Sequence, residues 1–149
     1  MSESCAFCAI ARGDASAHLV HRDGETFSFL DRSPLLPGHV LVATLRHIET
    51  FDDLPPELIE PLFAVVRRLS IAVQAALEAD GSFVAVNTRI SQSVPHVHVH
   101  VVPRRRNDGL FSPKLIWRRR PYASEPEAAA IAARIRTAYE RPAPGGPPG

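Results

Sequence analysis

From position 94 to 102 the chain alternates valine with histidine: Val94-Pro95-His96-Val97-His98-Val99-His100-Val101-Val102. Strand side chains point to opposite faces with a period of two, so a strand here carries His96, His98 and His100 on one face and valine on the other. A helix would scatter them. At a rise of about 3.3 Å per residue, neighbouring imidazoles stand about 6.6 Å apart, within reach of one small substrate. The β-branched residues at 97, 99, 101 and 102 favour a strand with one wall to bury.

Four further strands read from similar patterns. Leu19-Val20-His21 and Thr26 to Asp31, separated by Asp23-Gly24, form a β-hairpin. His39 to Thr44 is apolar enough for a central strand, and Ser82 to Asn87 is the next. Residues 3 to 12 make one or two helical turns ended by Gly13-Asp14. A long helix opens at Asp52-Asp53-Leu54-Pro55-Pro56 and runs to about Ala79, closed by Asp80-Gly81. Its stripe is Leu62, Val65, Val66, Leu69, Val73, Ala76 and Leu77. Pro61 lacks an amide donor, so the helix kinks there or begins there. Ser124-Glu125-Pro126-Glu127 has the form of a capping box before a helix from Ala128 to Tyr139. The order predicts an α+β fold: a five-stranded antiparallel sheet, one long helix and a C-terminal helix.

At 149 residues the chain suits one domain, here 1–140, with a Pro/Gly tail from 141 to 149 that cannot form a core and is expected to be disordered. A net charge of +1 gives no global field for nucleic acid or a membrane. No apolar stretch suits a bilayer span and no leader pattern opens the chain, which points to the cytoplasm. Arg104, Arg105, Arg106, Lys114, Arg118, Arg119 and Arg120 crowd a long loop with Trp117, Arg104 to Tyr122, either as phosphate contacts or as a solvated run. The two cysteines, Cys5 and Cys8, stand at a spacing that suggests metal or redox chemistry in a reducing compartment.

Three imidazoles on one strand face serve packing poorly. They could hold a metal, or perform acid/base and nucleophilic chemistry. The run Gln92-Ser93-Val94-Pro95-His96-Val97-His98-Val99-His100-Val101-Val102-Pro103-Arg104 closely resembles the His-x-His-x-His signature of the histidine triad (HIT) family of nucleotide hydrolases and transferases, over roughly residues 5 to 110.

The resemblance implies a HIT fold, usually a homodimer, and a purine nucleotide substrate read as adenosine-based. It places the nucleophile on His98, with a nucleotidylyl-His98 intermediate; a neutral imidazole is competent for that at physiological pH. His100 would hold the phosphate oxygens. His96 is the first triad histidine, and Ser93 beside Gln92 would sit near the leaving group. Asp31 would accept the ribose hydroxyls, and Phe29, Ile10 and Phe7 would form the slot for the base, although Phe7 suits plain core better. Asn87 corresponds less cleanly, since Asn87-Thr88-Arg89-Ile90-Ser91 is short and lacks the family's glycine; Arg89 is an alternative phosphate contact. Relatives pair cysteines with two histidines, which here implies a structural zinc on Cys5, Cys8, His47 and His96 and no cofactor for the chemistry. His18, His21 and His39 show no constellation. The functions that follow are cleavage of a nucleoside phosphoramidate or adenylylated compound, hydrolysis of a dinucleoside polyphosphate, or non-catalytic nucleotide binding or interaction.

Overall fold

The structure, a computed structural model, describes residue 2 and residues 4–112 and 119–141. Its elements run α1 (Ala6–Arg12), β1 (Leu19–Arg22), β2 (Thr26–Leu30), β3 (Val40–Thr44), α2 (Pro56–Leu77), β4 (Gly81–Val86), β5 (His98–Arg104) and α3 (Glu125–Glu140), with a 3-10 turn at Phe51–Asp53. The strands form one antiparallel sheet in the order β1-β2-β3-β5-β4. This is the expected α+β architecture. Lys114, Trp117 and Arg118 of the basic loop and the tail beyond Arg141 lie outside the described residues.

The two sheet faces are used differently. Val40 and Val42 of β3 and Val99 and Val101 of β5 join Val97 and the apolar stripe of α2, and Ile131, Ala132 and Ile135 of α3 complete that core. The opposite face carries Phe27, Phe29, Leu41 and Ala43, packed against Cys5, Phe7, Cys8 and Ala11 of the N-terminal segment. Residues directly opposite one another on paired strands share a face. Leu41 pairs with His100 and Ala43 with His98, so both histidines stand on the α1 side.

Several boundaries differ from the sequence expectation. The strand expected from Val94 begins at His98: Pro95 has no amide to give, and the Val97 N–H donates to the Ile48 carbonyl at 2.6 Å. His96 therefore lies before the ladder. Val102 shares the histidine face and packs with Leu35, Leu36 and Leu110. Helix α2 starts at Pro56 and contains Pro61; the Glu57 carbonyl that Pro61 cannot bond belongs to an exposed residue that water reaches. It ends at Leu77, with Glu78 in the left-handed conformation (φ 52°), ahead of the Asp80-Gly81 expected to close it. At α3 the Ser124 hydroxyl accepts the Glu127 N–H, while the Glu127 carboxylate reaches back one residue further, to the Ala123 N–H.

The turn into β3 depends on Gly38. Its φ is +93°, which favours glycine, and a Cβ there would lie 2.1 Å from Leu77 Cδ1 and force that side chain to move. Among the described residues, no helix is long and apolar enough to cross a membrane.

Candidate active site and metal centre

A cavity of about 920 Å³ opens between α1, the start of β3 and the segment that leads into α3. Phe7, Ile10, Phe29 and Leu41 give it an apolar wall; Asp31, Ser93, His98, His100 and Arg119 give it polar groups. The Phe7 ring stands edge-on to Phe29 at 5.1 Å and to His98 at 5.0 Å, so it is at once core and cavity wall.

His98 is buried, and its Nδ1 lies 2.6 Å from the His96 carbonyl. A carbonyl only accepts, so Nδ1 carries the proton and Nε2 keeps its lone pair. Burial lowers the His98 pKa below 6.5, opposed by that hydrogen bond and by the Asp31 carboxylate. The ring is neutral at pH 7, as a nucleophile must be.

The proton positions of the next pair follow by the same logic. The Leu35 N–H donates to His39 Nδ1 at 3.2 Å, so His39 holds its proton on Nε2 and donates it to His100 Nδ1 at 2.9 Å. His100 is left with its proton on Nε2, where it can donate to a phosphate oxygen. Burial, His98 and Arg119 push His100 down to about 4, and burial takes His39 well below its ordinary value. Asp31 accepts the Ser33 N–H on Oδ1 at 2.8 Å and Arg119 Nη1 on Oδ2 at 2.8 Å.

His96 faces away from this cavity. It is fully buried, its Nε2 donates to the Thr44 carbonyl at 2.7 Å, and its Nδ1 lies 3.4 Å from Cys5 Sγ and 3.6 Å from Cys8 Sγ. His47 Nδ1 stands 3.5 Å from Cys8 Sγ, and all four ligand atoms lie within 4.8 Å of one another. In a tetrahedral zinc site, Zn–S and Zn–N bonds of about 2.3 and 2.1 Å set sulfur and nitrogen about 3.6 Å apart, which the Cys5–His96, Cys8–His96 and Cys8–His47 separations match, so the donor set fits zinc. Thr44 fixes the His96 tautomer that leaves Nδ1 as ligand. Burial pushes His96 down to about 4 and keeps it neutral, and burial pushes the Cys8 thiol up. Both cysteines are free.

A HIT domain profile matches residues 12–107. The chain belongs to the HIT family. An uncharacterised HIT-like protein of Mycobacterium tuberculosis is 38% identical over 118 residues, 78% of this chain and 82% of that protein. The adenylylsulfatase HINT3 of Arabidopsis thaliana is 28% identical over 138 residues, 91% of this chain and 70% of that protein. The crystal structure of a zinc-bound histidine triad family protein from Mycobacterium smegmatis superposes with a TM-score of 0.78 at 37% identity, covering 91% of this chain and 93% of that one. The family thus includes hydrolases and a zinc-bound member.

In this HIT protein the loop between β4 and the triad is built from its own side chains. Gln92 accepts the Arg89 N–H at 2.8 Å and donates to the Glu49 carbonyl, bracing the loop that presents Ser93. Asn87 Nδ2 lies 3.5 Å from His100 Nε2, donor facing donor in the tautomer set by His39, so no hydrogen bond joins them and the Nε2–H stays available. Arg89, considered above for the phosphates, instead pairs with exposed Asp52 at 2.7 Å. Arg89 and Ser91 have φ of 65° and 61°, so left-handed backbone persists although the glycine is gone. Of the basic run, Arg104 is tied to Asp108, Arg105 to the Leu77 carbonyl and Arg119 to Asp31. His39 is the site residue that sequence reasoning passed over. Its only sequence signal was a histidine opening a fully apolar strand.

Proposed function

We propose that this protein is a nucleotide hydrolase or transferase. Its substrate is a nucleoside monophosphate linked through phosphorus to a leaving group, as in a phosphoramidate or adenylylated compound. The observation that carries this reading is the His98 ring, whose Nδ1–H is held by the His96 carbonyl at 2.6 Å while the ring lines the cavity beside His100. His98 Nε2 attacks phosphorus; an N–P bond forms, and the bond to the leaving group breaks as that group takes the Ser93 hydroxyl proton, which the attacking water restores to Ser93 in the second step. Water then attacks phosphorus, the N–P bond breaks, and the nucleoside monophosphate leaves. His100 Nε2–H donates to the phosphate oxygen as charge develops there, with Asn87 beside it. Asp31 takes the ribose hydroxyls, and Ile10, Phe29 and Phe7 take the base, read as adenine. His96 contributes its carbonyl to the nucleophile and its ring to the metal set, and Gln92 holds the Ser93 loop.

The reading includes a structural zinc on Cys5, Cys8, His47 and His96. When bound it ties the N-terminal segment to the residues just before β5 and takes no part in the reaction. It also includes a single domain over 1–140, a homodimer that covers the edge strand β4 with its exposed Val84, and a cytoplasmic location, where buried free thiols stay reduced. Support for a hydrolase comes from the adenylylsulfatase relative, and for zinc from the zinc-bound mycobacterial structure.

The test is to mix wild type and His98→Ala with a radiolabelled adenosine phosphoramidate, quench, and count label on protein. Label on wild type alone supports the intermediate. Parallel turnover of a diadenosine polyphosphate separates phosphoramidase from polyphosphate hydrolase. Absence of both label and turnover, with nucleotide still bound, makes the protein a binder.

A further inference from the structure

The segment that leads into α3 lines the cavity and is tied to the turn between β2 and β3. Arg119 Nη1 donates to Asp31 Oδ2 at 2.8 Å and to the Ser33 carbonyl. The Arg120 N–H donates to the Pro34 carbonyl at 2.8 Å, and the Gly38 N–H donates to the Tyr122 hydroxyl at 3.3 Å. Arg119, Pro121 and Tyr122 all line the cavity. The chemistry proposed above uses none of these residues.

Asp31 is the carboxylate that the nucleotide reading assigns to the ribose, and each of its oxygens already accepts a bond: the Ser33 N–H on Oδ1 and Arg119 on Oδ2. Its side chain is 14% exposed, whereas that of Arg119 is 46% exposed. A guanidinium only donates, so it cannot take a hydroxyl proton in place of the carboxylate. Each carboxylate oxygen can accept two bonds, so the Ser33 N–H leaves Oδ1 open, but Arg119 and Asp31 line the same cavity and the guanidinium competes with an incoming hydroxyl for the approach to Oδ2. The ion pair is easily given up on one side only: Arg119 can return to water, whereas Asp31 is covered and needs a donor in its place.

We propose that Arg119 is a latch on the ribose site. Without nucleotide it holds Asp31; a nucleotide with a free 2′,3′-diol exchanges the Arg119–Asp31 pair for two hydroxyl hydrogen bonds, and return of the guanidinium helps expel the nucleoside monophosphate product. This inference rests on the nucleotide reading of the cavity. Arg119 thereby sets how tightly the site holds ribonucleotides against analogues that lack the diol.

The experiment measures binding of adenosine monophosphate and of 2′,3′-dideoxyadenosine monophosphate by calorimetry to wild type, Arg119→Ala and Arg119→Gln; the second variant keeps most of the side chain and loses its charge. The latch predicts that both variants bind adenosine monophosphate about two- to fivefold more tightly, as expected for loss of one competing, partly exposed ion pair, and bind the dideoxy nucleotide as wild type does. Weaker or unchanged binding of adenosine monophosphate by the variants, or an equal gain for both nucleotides, overturns the latch and leaves the nucleotide reading standing. Failure of every protein to bind either nucleotide overturns the nucleotide reading, and the latch with it.

Discussion

His39 Nε2 donates to His100 Nδ1 across 2.9 Å, and His39 is held in that tautomer by the Leu35 N–H. His100 thus owes its outward-facing proton to a residue 61 positions earlier. Replacing His39 by leucine removes the donor and frees the His100 ring. Turnover should fall about ten- to a hundredfold, the range seen when a supporting hydrogen bond is lost at a site, with adenosine monophosphate affinity changed much less. His39→Gln retains an N–H donor and should recover part of the loss; nitrogen NMR shifts of His100 would show the tautomer directly.

Acid should lower stability below the ordinary histidine range. In metal-free protein His96 and His100 have folded-state values of about 4, well below the unfolded 6.5. The unfolded chain therefore binds more protons between those values, and the stability present above pH 6.5 is lost as the pH falls from 6.5 towards 4. Urea midpoints at pH 7.5, 6 and 5 should decline in that order, and zinc should reduce the decline because it competes with the proton on His96.

Cys5→Ser takes one ligand from a set whose sulfur and nitrogen atoms already stand at metal-site separations. Protein purified without chelator should hold one zinc per chain by elemental analysis, and the variant should lose it and melt at lower temperature. Wild type free of zinc under reducing conditions would leave the cysteines as core residues.

Backbone strain offers two substitutions of opposite sign. Ser91 has φ 61° in an exposed loop, so Ser91→Gly should stabilise by about 1 kcal/mol. Gly38→Ala adds a Cβ against Leu77 at a positive φ and should destabilise by about 3 kcal/mol. Denaturant unfolding measures both.

The valine-histidine alternation was sufficient to find β5 and to set His98 and His100 on one face, because a period of two is a property of the strand itself. His96 escaped that rule. Its position depends on Pro95 and on the Val97 N–H finding Ile48, a partner from another part of the chain. The cysteine spacing marked half of the metal set; the other half needed His47 and His96 to meet, which a family resemblance implied and periodicity could not. His39 was illegible for the same reason: only the β3–β5 register, with Leu41 opposite His100, brings it to the triad. The left-handed Glu78 was likewise hidden, since nothing local distinguishes it from Asp80-Gly81 as a helix end.

The central claim is that His98 forms the bond to phosphorus, and the most direct measurement is turnover of an adenosine phosphoramidate by His98→Ala beside its affinity for adenosine monophosphate. The valines on the opposite face keep their core, while His98→Ala removes a buried ring that packs on Phe7, so the variant should fold with reduced stability, checked by its circular dichroism and urea midpoint. Covalent catalysis predicts that turnover falls by several orders of magnitude while affinity is largely kept. If His98→Ala retains about a tenth of wild-type turnover, a loss of only about 1.4 kcal/mol, a positioned water does the work and the nucleophile assignment is wrong.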